Sequence, residues 1–274
     1  MVERTARSRR ILDIVAQTEA SMETLGASFP IVALGASAGG LAAVSQLLRR
    51  MGDKPGLAVV LIQHLDPTYA SGLVDLLSKV TAMPVEAASE GAEVLVDHVY
   101  VIPPGMEMTI ALGILHLAPR AGGPAPHLPI DRFLESLAED RGARAVGVIL
   151  SGTASDGARG VQTLKGEGGI TFAQQAAEYP GMPDAAIATG CIDFILPVES
   201  IADELARLGG ALPTHDNPAE EDASLARIIG AIRQATGVDF AQYKPTTLRR
   251  RMQRRAALRH VGTLHEYADL NHRA

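Results

Sequence analysis

Between Phe29 and Gly209, six short runs of β-branched and aliphatic residues alternate with stretches whose apolar residues recur every three or four positions. Strands separated by helix-length segments pair side by side only through crossovers that carry the helices over the sheet faces. The pattern therefore predicts an α/β chain with a doubly wound, mostly parallel sheet flanked by helices. The strands fall near Ile31–Leu34, Leu57–Ile62, Val99–Ile102, Val146–Leu150, Gly169–Ala173 and Phe194–Pro197. Helical spacing covers Leu41–Met51, Ser71–Val80, Ile130–Arg141, Gly157–Gly166, Pro183–Thr189 and Ser200–Leu208. Met106–Leu117, two apolar runs about Gly113, reads as a hairpin at the sheet edge, and Ala121–Pro129 as a surface loop.

The α/β region is expected over residues 29–208, after an N-terminal extension over 1–28. Residues 209–221 carry two prolines and no sustained apolar period, as a linker does, and 222–274 read as a small all-α domain. Charge divides along the same boundary. Residues 1–221 hold 15 Lys and Arg against 27 Asp and Glu, whereas 222–274 hold ten against four, so the two parts suit different partners. With 47% hydrophobic and 20% charged residues the chain has the material for one sizeable core. The single cysteine, Cys191, excludes an internal disulfide and a thiolate metal cluster, so no metal or other cofactor is expected. No apolar run reaches membrane-spanning length, and a cytoplasmic, not membrane-inserted protein is expected. With 4% aromatics and no Trp, base-stacking on nucleic acid is not expected.

Three segments carry chemistry. Gly35-Ala36-Ser37-Ala38-Gly39 follows a strand and opens a helix, the pattern of a nucleophile elbow, in which small neighbours let a tight turn lift the serine Oγ. Taken alone, the turn fits a phosphate-binding loop as well as a nucleophile, and plain packing less well. A dinucleotide site is disfavoured because Ser37 stands where the second glycine of that motif belongs. His64 ends the second strand and, alone, reads more readily as a hydrogen-bonded structural or surface histidine. Asp156 lies in a small-residue turn between strand and helix, where a helix cap is the competing reading. In a parallel sheet the carboxyl ends of the strands share one edge. Ser37 as nucleophile, His64 as base and Asp156 as acceptor of the imidazole Nδ1–H then form the parts of an acyl-transfer site. The chain order Ser, His, Asp differs from the α/β-hydrolase order Ser, Asp, His.

The set GASAGG, QHLDP, VYVIPPG, PIDRFLESLA, SGTASDGARG and YPGMPDAAI resembles the catalytic domain of the chemotaxis receptor protein-glutamate methylesterases, over about residues 29–208. The resemblance implies the same triad, Ser37, His64 and Asp156. It also implies backbone support for the oxyanion around Ala38, Gly152 and Thr153. The implied reaction is hydrolysis of glutamate γ-methyl esters, with deamidation of glutamines, on the cytoplasmic helices of methylated chemoreceptors. Such signalling implies a histidine kinase or response-regulator system in trans. Departures exist: Ala38 stands where the family commonly has threonine, and Leu65-Asp66 where it commonly has Met-Pro. About thirty residues precede the first strand, too few for the family's receiver domain, so control by phosphorylation within this chain is not expected.

Residues 222–271, with Thr236-Gly237-Val238-Asp239-Phe240 and Tyr243-Lys244 before a basic helix over Thr246–His260, resemble the N-terminal helical domain of the chemotaxis receptor methyltransferases. The whole looks like an esterase of the kind fused to such a methyltransferase. No Gly-rich site for S-adenosylmethionine follows, and no methyltransferase activity is expected. Arg250, Arg251, Arg254 and Arg255 read as a cationic face for substrate or partner contact, against a nucleic-acid arm or an inert solvated face. The alternative to the enzyme is a non-catalytic interaction or regulatory module.

Overall fold

The structure, a computed structural model, describes residues 29–64, 72–120, 122, 127–211, 218–238, 240, 243–259, 261 and 263–272. The extension expected over 1–28, most of the loop expected over 121–129 before Pro129, and the centre of the linker lie outside them.

Nine strands and nine helices are formed among the described residues. In chain order they are β1 (Ile31–Ala36), α1 (Gly40–Met51), β2 (Ala58–Gln63), α2 (Leu73–Leu77), β3 (Val85–Ala87), β4 (Val99–Val101), β5 (Met106–Ala111), β6 (Ile114–Pro119) and α3 (Pro129–Arg141). A short 3₁₀ turn (Gly142–Arg144) leads to β7 (Ala145–Ile149), α4 (Ala158–Gly166), β8 (Ile170–Gln174), α5 (Gly181–Ala188), β9 (Phe194–Leu196) and α6 (Val198–Ala211). Three further helices follow: α7 (Pro218–Thr236), α8 (Pro245–Leu258) and α9 (Leu264–His272).

Seven strands form one parallel sheet in the order β3-β4-β2-β1-β7-β8-β9, while β5 and β6 form a separate antiparallel hairpin. The strand order reverses at β1: the chain proceeds to β2 on one side and later returns to β7 on the other. Such a switch point opens a crevice at the carboxyl ends of the strands, because the flanking connections depart to opposite sides.

Burial on both faces explains the nearly continuous apolar character of the central strands. In β1, Val32, Leu34 and Ala36 pack into one core beneath α1 and α6, with Val44, Leu47, Ile201 and Leu205. The alternate residues Ile31 and Ala33 enter a second core beneath α3, α4 and the hairpin, with Ile130, Phe133, Leu137 and Val161. The period of two thus feeds both layers from one strand.

The structure departs from the sequence expectations at short elements and at ends. Strand β3, only Val85–Ala87, lies at the sheet edge with Val85 partly buried and Glu86 and Ala87 exposed, and it lacks an apolar run. Helix α2 keeps only Leu73–Leu77 of the longer segment expected. Helix α7 starts at Pro218, inside the expected linker, because proline suits a first helical position and Glu220 and Glu221 suit a helix N-terminus. Helix α9 was not anticipated; its core contribution comes from Leu264, Tyr267 and Ala268.

Leu34 is wholly buried in the strand that carries the site. Leu34→Ala should lower the unfolding free energy by about 2–5 kcal/mol, the range for emptying such a position. Urea titration checks this, and a loss under about 1 kcal/mol would mean the site collapses freely around the gap.

Candidate active site

The site begins with the register of β1. Ala36 is paired with Gln63 of β2, so the next residues in each strand direction are Ser37 and His64. The His64 N–H reaches the Ala36 carbonyl at 3.4 Å, which continues the strand pairing by one step. Neighbouring strands lie about 5 Å apart, and the two residues therefore leave the sheet side by side.

On the other side of β1, the turn after β7 grips the serine turn. Ser151 is buried, and its carbonyl accepts the Ser37 N–H at 3.0 Å. Its Oγ donates to the Ala38 carbonyl at 2.8 Å and accepts the Tyr179 N–H at 3.1 Å, while its own N–H donates to Gln174 Oε1 at 2.8 Å. One small side chain thereby joins three loops. Gly39 takes φ +71°, and a Cβ there would stand 2.7 Å from Ser151 Oγ, so this turn needs glycine on two counts. At Gly152 a Cβ would lie 2.2 Å from Met182 Sδ and 2.9 Å from the Ser37 Cβ.

The third component is Asp156, only 1% exposed. The competing readings of this acid, helix cap or partner of a histidine, turn out to be compatible, because the helix it caps is not its own. Asp156 Oδ2 accepts the N–H of Ile130 at 3.0 Å and Oδ1 that of Asp131 at 2.9 Å, both in the first turn of α3. Asp131 returns the favour: its Oδ1 accepts the Gly160 N–H at 2.7 Å in the first turn of α4, the helix that follows Asp156. Each acid thus satisfies orphan donors of the other's helix and meets the positive end of its dipole. Burial pushes the Asp131 carboxyl above the usual range, and hydrogen bonds from Gly160 and Gly157 oppose that rise.

Against the remaining lone pairs of Asp156 lies His64, whose Nε2 is 2.9 Å from Oδ2. The orienting contact therefore uses Nε2, where the sequence reading expected Nδ1. The reason is the short path: His64 leaves β2 directly beside the serine, so the far side of its ring reaches across to β7. With Nε2–H donated to the carboxylate, Nδ1 carries the free lone pair and becomes the proton acceptor. No hydrogen bond joins Ser37 Oγ to His64 among the described residues; catalytic contacts of this kind commonly close on the substrate complex.

The backbone N–H groups of Ala38 and Thr153 have no partner among the described residues and lie at the turns flanking this edge. Gly152 differs from the expectation, since its N–H is spent on the Tyr179 carbonyl at 2.9 Å. Its contribution is the close approach of the β7 turn to Ser37. Ala154, two residues before the acid, holds φ +66°, a left-handed conformation costly for a residue with a Cβ.

Sequence reading missed His127, just before α3, whose ring centroid is 6.5 Å from that of His64. Its Nδ1 is 3.9 Å from Glu107 Oε1, and Glu107 also accepts from Arg132. Burial lowers its pKa, and the charge of Arg120 adds to that. The signal available in sequence was only a histidine two residues before a helix-starting proline. Ser151 was equally silent, being one of several small residues in its turn.

The basic helix α8 divides. Arg250 pairs with Glu167, and Arg254 pairs with Asp193 while donating to the Gly169 carbonyl at 3.2 Å. Arg251 and Arg255 face solvent with no partner among the described residues. Among the described residues no group of His, Cys, Asp and Glu is arranged to hold a metal, and no helix is long and apolar enough to cross a membrane.

Residues 32–205 match the family described as CheB methylesterase, and residues 223–270 match the CheR methyltransferase all-alpha domain. An uncharacterized 104.1 kDa protein of Rhodobacter capsulatus is 37% identical over 226 residues, covering 72% of this chain and 24% of that protein. A protein-glutamate methylesterase/protein-glutamine glutaminase of Burkholderia pseudomallei is 34% identical, covering 72% of this chain and 58% of the relative. The chain thus spans from a quarter to under two thirds of the length of these relatives. The crystal structure of the Thermotoga maritima CheB methylesterase catalytic domain superposes with a TM-score of 0.61 at 26% identity, covering 66% of this chain and 98% of that domain. With the family match spanning more than half of its length and this fold beneath it, the chain belongs to the CheB methylesterase family.

Proposed function

We propose that this protein is a serine hydrolase that removes methyl groups from glutamate γ-methyl esters on chemoreceptor proteins, and that the same site deamidates glutamine at such positions. The observation that carries the reading is the His64 Nε2 to Asp156 Oδ2 hydrogen bond, placed at the strand end beside Ser37. Family membership supports the substrate class, since relatives bear the names of both activities.

In this reading Ser37 Oγ attacks the ester carbonyl while His64 Nδ1 takes its proton. The tetrahedral oxyanion is met by the free N–H groups of Ala38 and Thr153, fixed donors that need not reorganise as charge develops. His64 then protonates the departing methoxide, which leaves as methanol, and Ser37 remains as the acyl ester. Water, deprotonated by the same nitrogen, cleaves that ester to a carboxylate and restores the serine. Asp156 stabilises the imidazolium formed at each step, and two N–H groups of α3 hold it in place. His127 also matters here, because a second cation 6.5 Å from His64 would oppose that imidazolium. Burial and the charge of Arg120 favour its neutral form.

The cellular setting follows as part of the same proposal: a cytoplasmic protein acting on the cytoplasmic helices of methylated receptors, with a histidine kinase or response regulator in trans as the source of control. Arg251 and Arg255 are the members of the basic set free for such contacts.

Ser37→Ala should cut kcat for methanol release from methylated receptor fragments by roughly 10⁴–10⁶-fold, and adding His64→Ala should change little more. Full activity in Ser37→Ala defeats the proposal. A fluorophosphonate probe should label Ser37 in the wild type and nothing in that variant.

Asp156→Asn offers one acceptor where two N–H groups and an imidazole converge. Loss of the orienting carboxylate should lower kcat by about 10⁴-fold. One orphaned helix N–H should additionally cost about 1–3 kcal/mol of stability. Paired kinetic and denaturant measurements separate the two effects, and an unchanged unfolding midpoint would show that the capping bonds are dispensable.

Because the folded pKa of His127 lies below its unfolded value near 6.5, only the unfolded chain gains a proton there as pH first falls below that value. Its contribution to stability is therefore complete above about pH 6.5 and is lost as pH falls towards the folded pKa. His127→Gln should show a smaller drop in melting temperature between pH 7 and pH 5 than the wild type. An equal drop would mean that other groups account for the acid loss.

A further inference from the structure

Helix α8 presents three sides to three environments. Arg249 and Gln253 turn towards Asp222 and Glu221 at the start of α7, and Ala256 enters the small core of the helical region. Arg251 and Arg255 face solvent. The third side, Arg250, Arg254 and Ala257, points at the α/β domain.

There the contacts have the character of a built interface. Asp193 immediately precedes β9, and its side chain is 9% exposed. Its Oδ2 accepts both the N–H and the Oγ1–H of Thr171 at 3.1 Å, which commits that oxygen to the start of β8. Its Oδ1 faces Lys165 Nζ at 3.2 Å and Arg254. Arg254 Nε also reaches the Gly169 carbonyl, so one planar guanidinium spans a carboxylate and a main-chain oxygen, a geometry that an ammonium does not reproduce. A turn further towards the N-terminus of α8, Arg250 pairs with Glu167 and its backbone lies 3.4 Å from where a Cβ of Gly168 would be. A turn the other way, Ala257 is buried in the same core as Leu205 and Leu208, with Leu258 packed against it.

All of these acceptors lie at the amino ends of β8 and β9, whereas Ser37, His64 and Asp156 follow the carboxyl ends of β1, β2 and β7. Because the strands are parallel, the two sets occupy opposite ends of the sheet. A five-residue strand separates them by about 17 Å.

We propose that α8 is a docking element that fixes the helical domain to the rear edge of the esterase sheet, with Arg254 as its central contact and Arg250–Glu167 as a second. The partner of this half of the basic helix is the same chain's own acidic edge. Docking there leaves the catalytic rim open and presents Arg251 and Arg255 away from it. The helical domain is therefore a rear-mounted module and not a lid over Ser37. This inference stands on the interface geometry and is independent of the reaction proposed for Ser37.

Hydrogen exchange on the full chain tests it. In Arg254→Glu, amides of α8 and of residues 167–171 should exchange at least tenfold faster than in the wild type, while α7 and α9 keep their protection. Asp193→Asn, which alters nothing inside the helical domain, should produce the same release of α8. Arg250→Glu should have a smaller effect, reversed by adding Glu167→Arg. Fluorophosphonate labelling of Ser37 should keep its wild-type rate in Arg254→Glu. Unchanged α8 protection in both Arg254→Glu and Asp193→Asn would overturn the docking, and failure of the charge swap to improve on Arg250→Glu would remove the second contact. A change of more than about tenfold in the labelling rate would show that the helical domain covers the catalytic rim after all.

Discussion

The carboxylate of Asp156 is the point on which the rest of the site depends. A buried anion is costly unless every lone pair is engaged, and here the first turn of α3 supplies two N–H groups and the positive end of a helix dipole. What remains of its accepting capacity is turned towards His64. The same contact therefore fixes the start of a helix, the path of the β7 turn and the tautomer of the imidazole. Asp131 supplies the reciprocal bond to α4. The two helices flanking the site are thus locked through their N-termini, not only through the apolar contacts along their sides, and Asp156 is held in place because it is structural.

This arrangement explains what the sequence could and could not disclose. The long central strands and most of the helices were legible because burial on both sheet faces imposes apolar runs of a recognisable length, as in Ala58–Gln63 and Ala145–Ile149. Convergence of Ser37 and His64 was legible too, since two parallel neighbours deliver their terminal residues to one edge. Strand β3 was not, because three residues, two of them exposed, carry no periodic signal. The identity of the nitrogen facing Asp156 was equally hidden. It depends on the side from which β7 approaches the ring, a property of the strand order that no local spacing encodes. Ser151 and His127 were invisible for a related reason: their contacts lie 20 or more residues away along the chain.

The basic helix shows the complementary weakness of reading charge from sequence. A run of arginines has the same composition whether it faces solvent, a partner or its own chain. Its division into Arg249 towards α7, Arg250 and Arg254 towards the sheet, and Arg251 and Arg255 towards solvent follows from the helical period of 3.6 combined with two packing surfaces. The opposite net charges of the two regions, which composition alone assigned to different external partners, are partly answered within the molecule.

Placing the helical domain at the amino ends of the strands has a consequence for how an esterase and a methyltransferase-type domain share one polypeptide. The reaction proposed for Ser37 needs a receptor helix to approach the carboxyl edge, where Ser37, His64 and Asp156 follow β1, β2 and β7. A domain mounted at the opposite end neither competes for that approach nor contributes a group to the chemistry. Among the described residues, Arg250 and Arg254 reach the esterase through Glu167, Gly169 and Asp193, none of which touches the triad. Between the two ends run β8, from Thr171 to Gln174, whose side chain holds the Ser151 N–H beneath the serine turn, and the core that Ala257 shares with Leu205 and Leu34. That strand is short, parallel-paired on both sides and buried over most of its length. The helical domain and the Ser37 edge therefore share one buried parallel sheet from opposite ends, the first held by Glu167, Gly169 and Asp193 and the second built on the turns after β1 and β7.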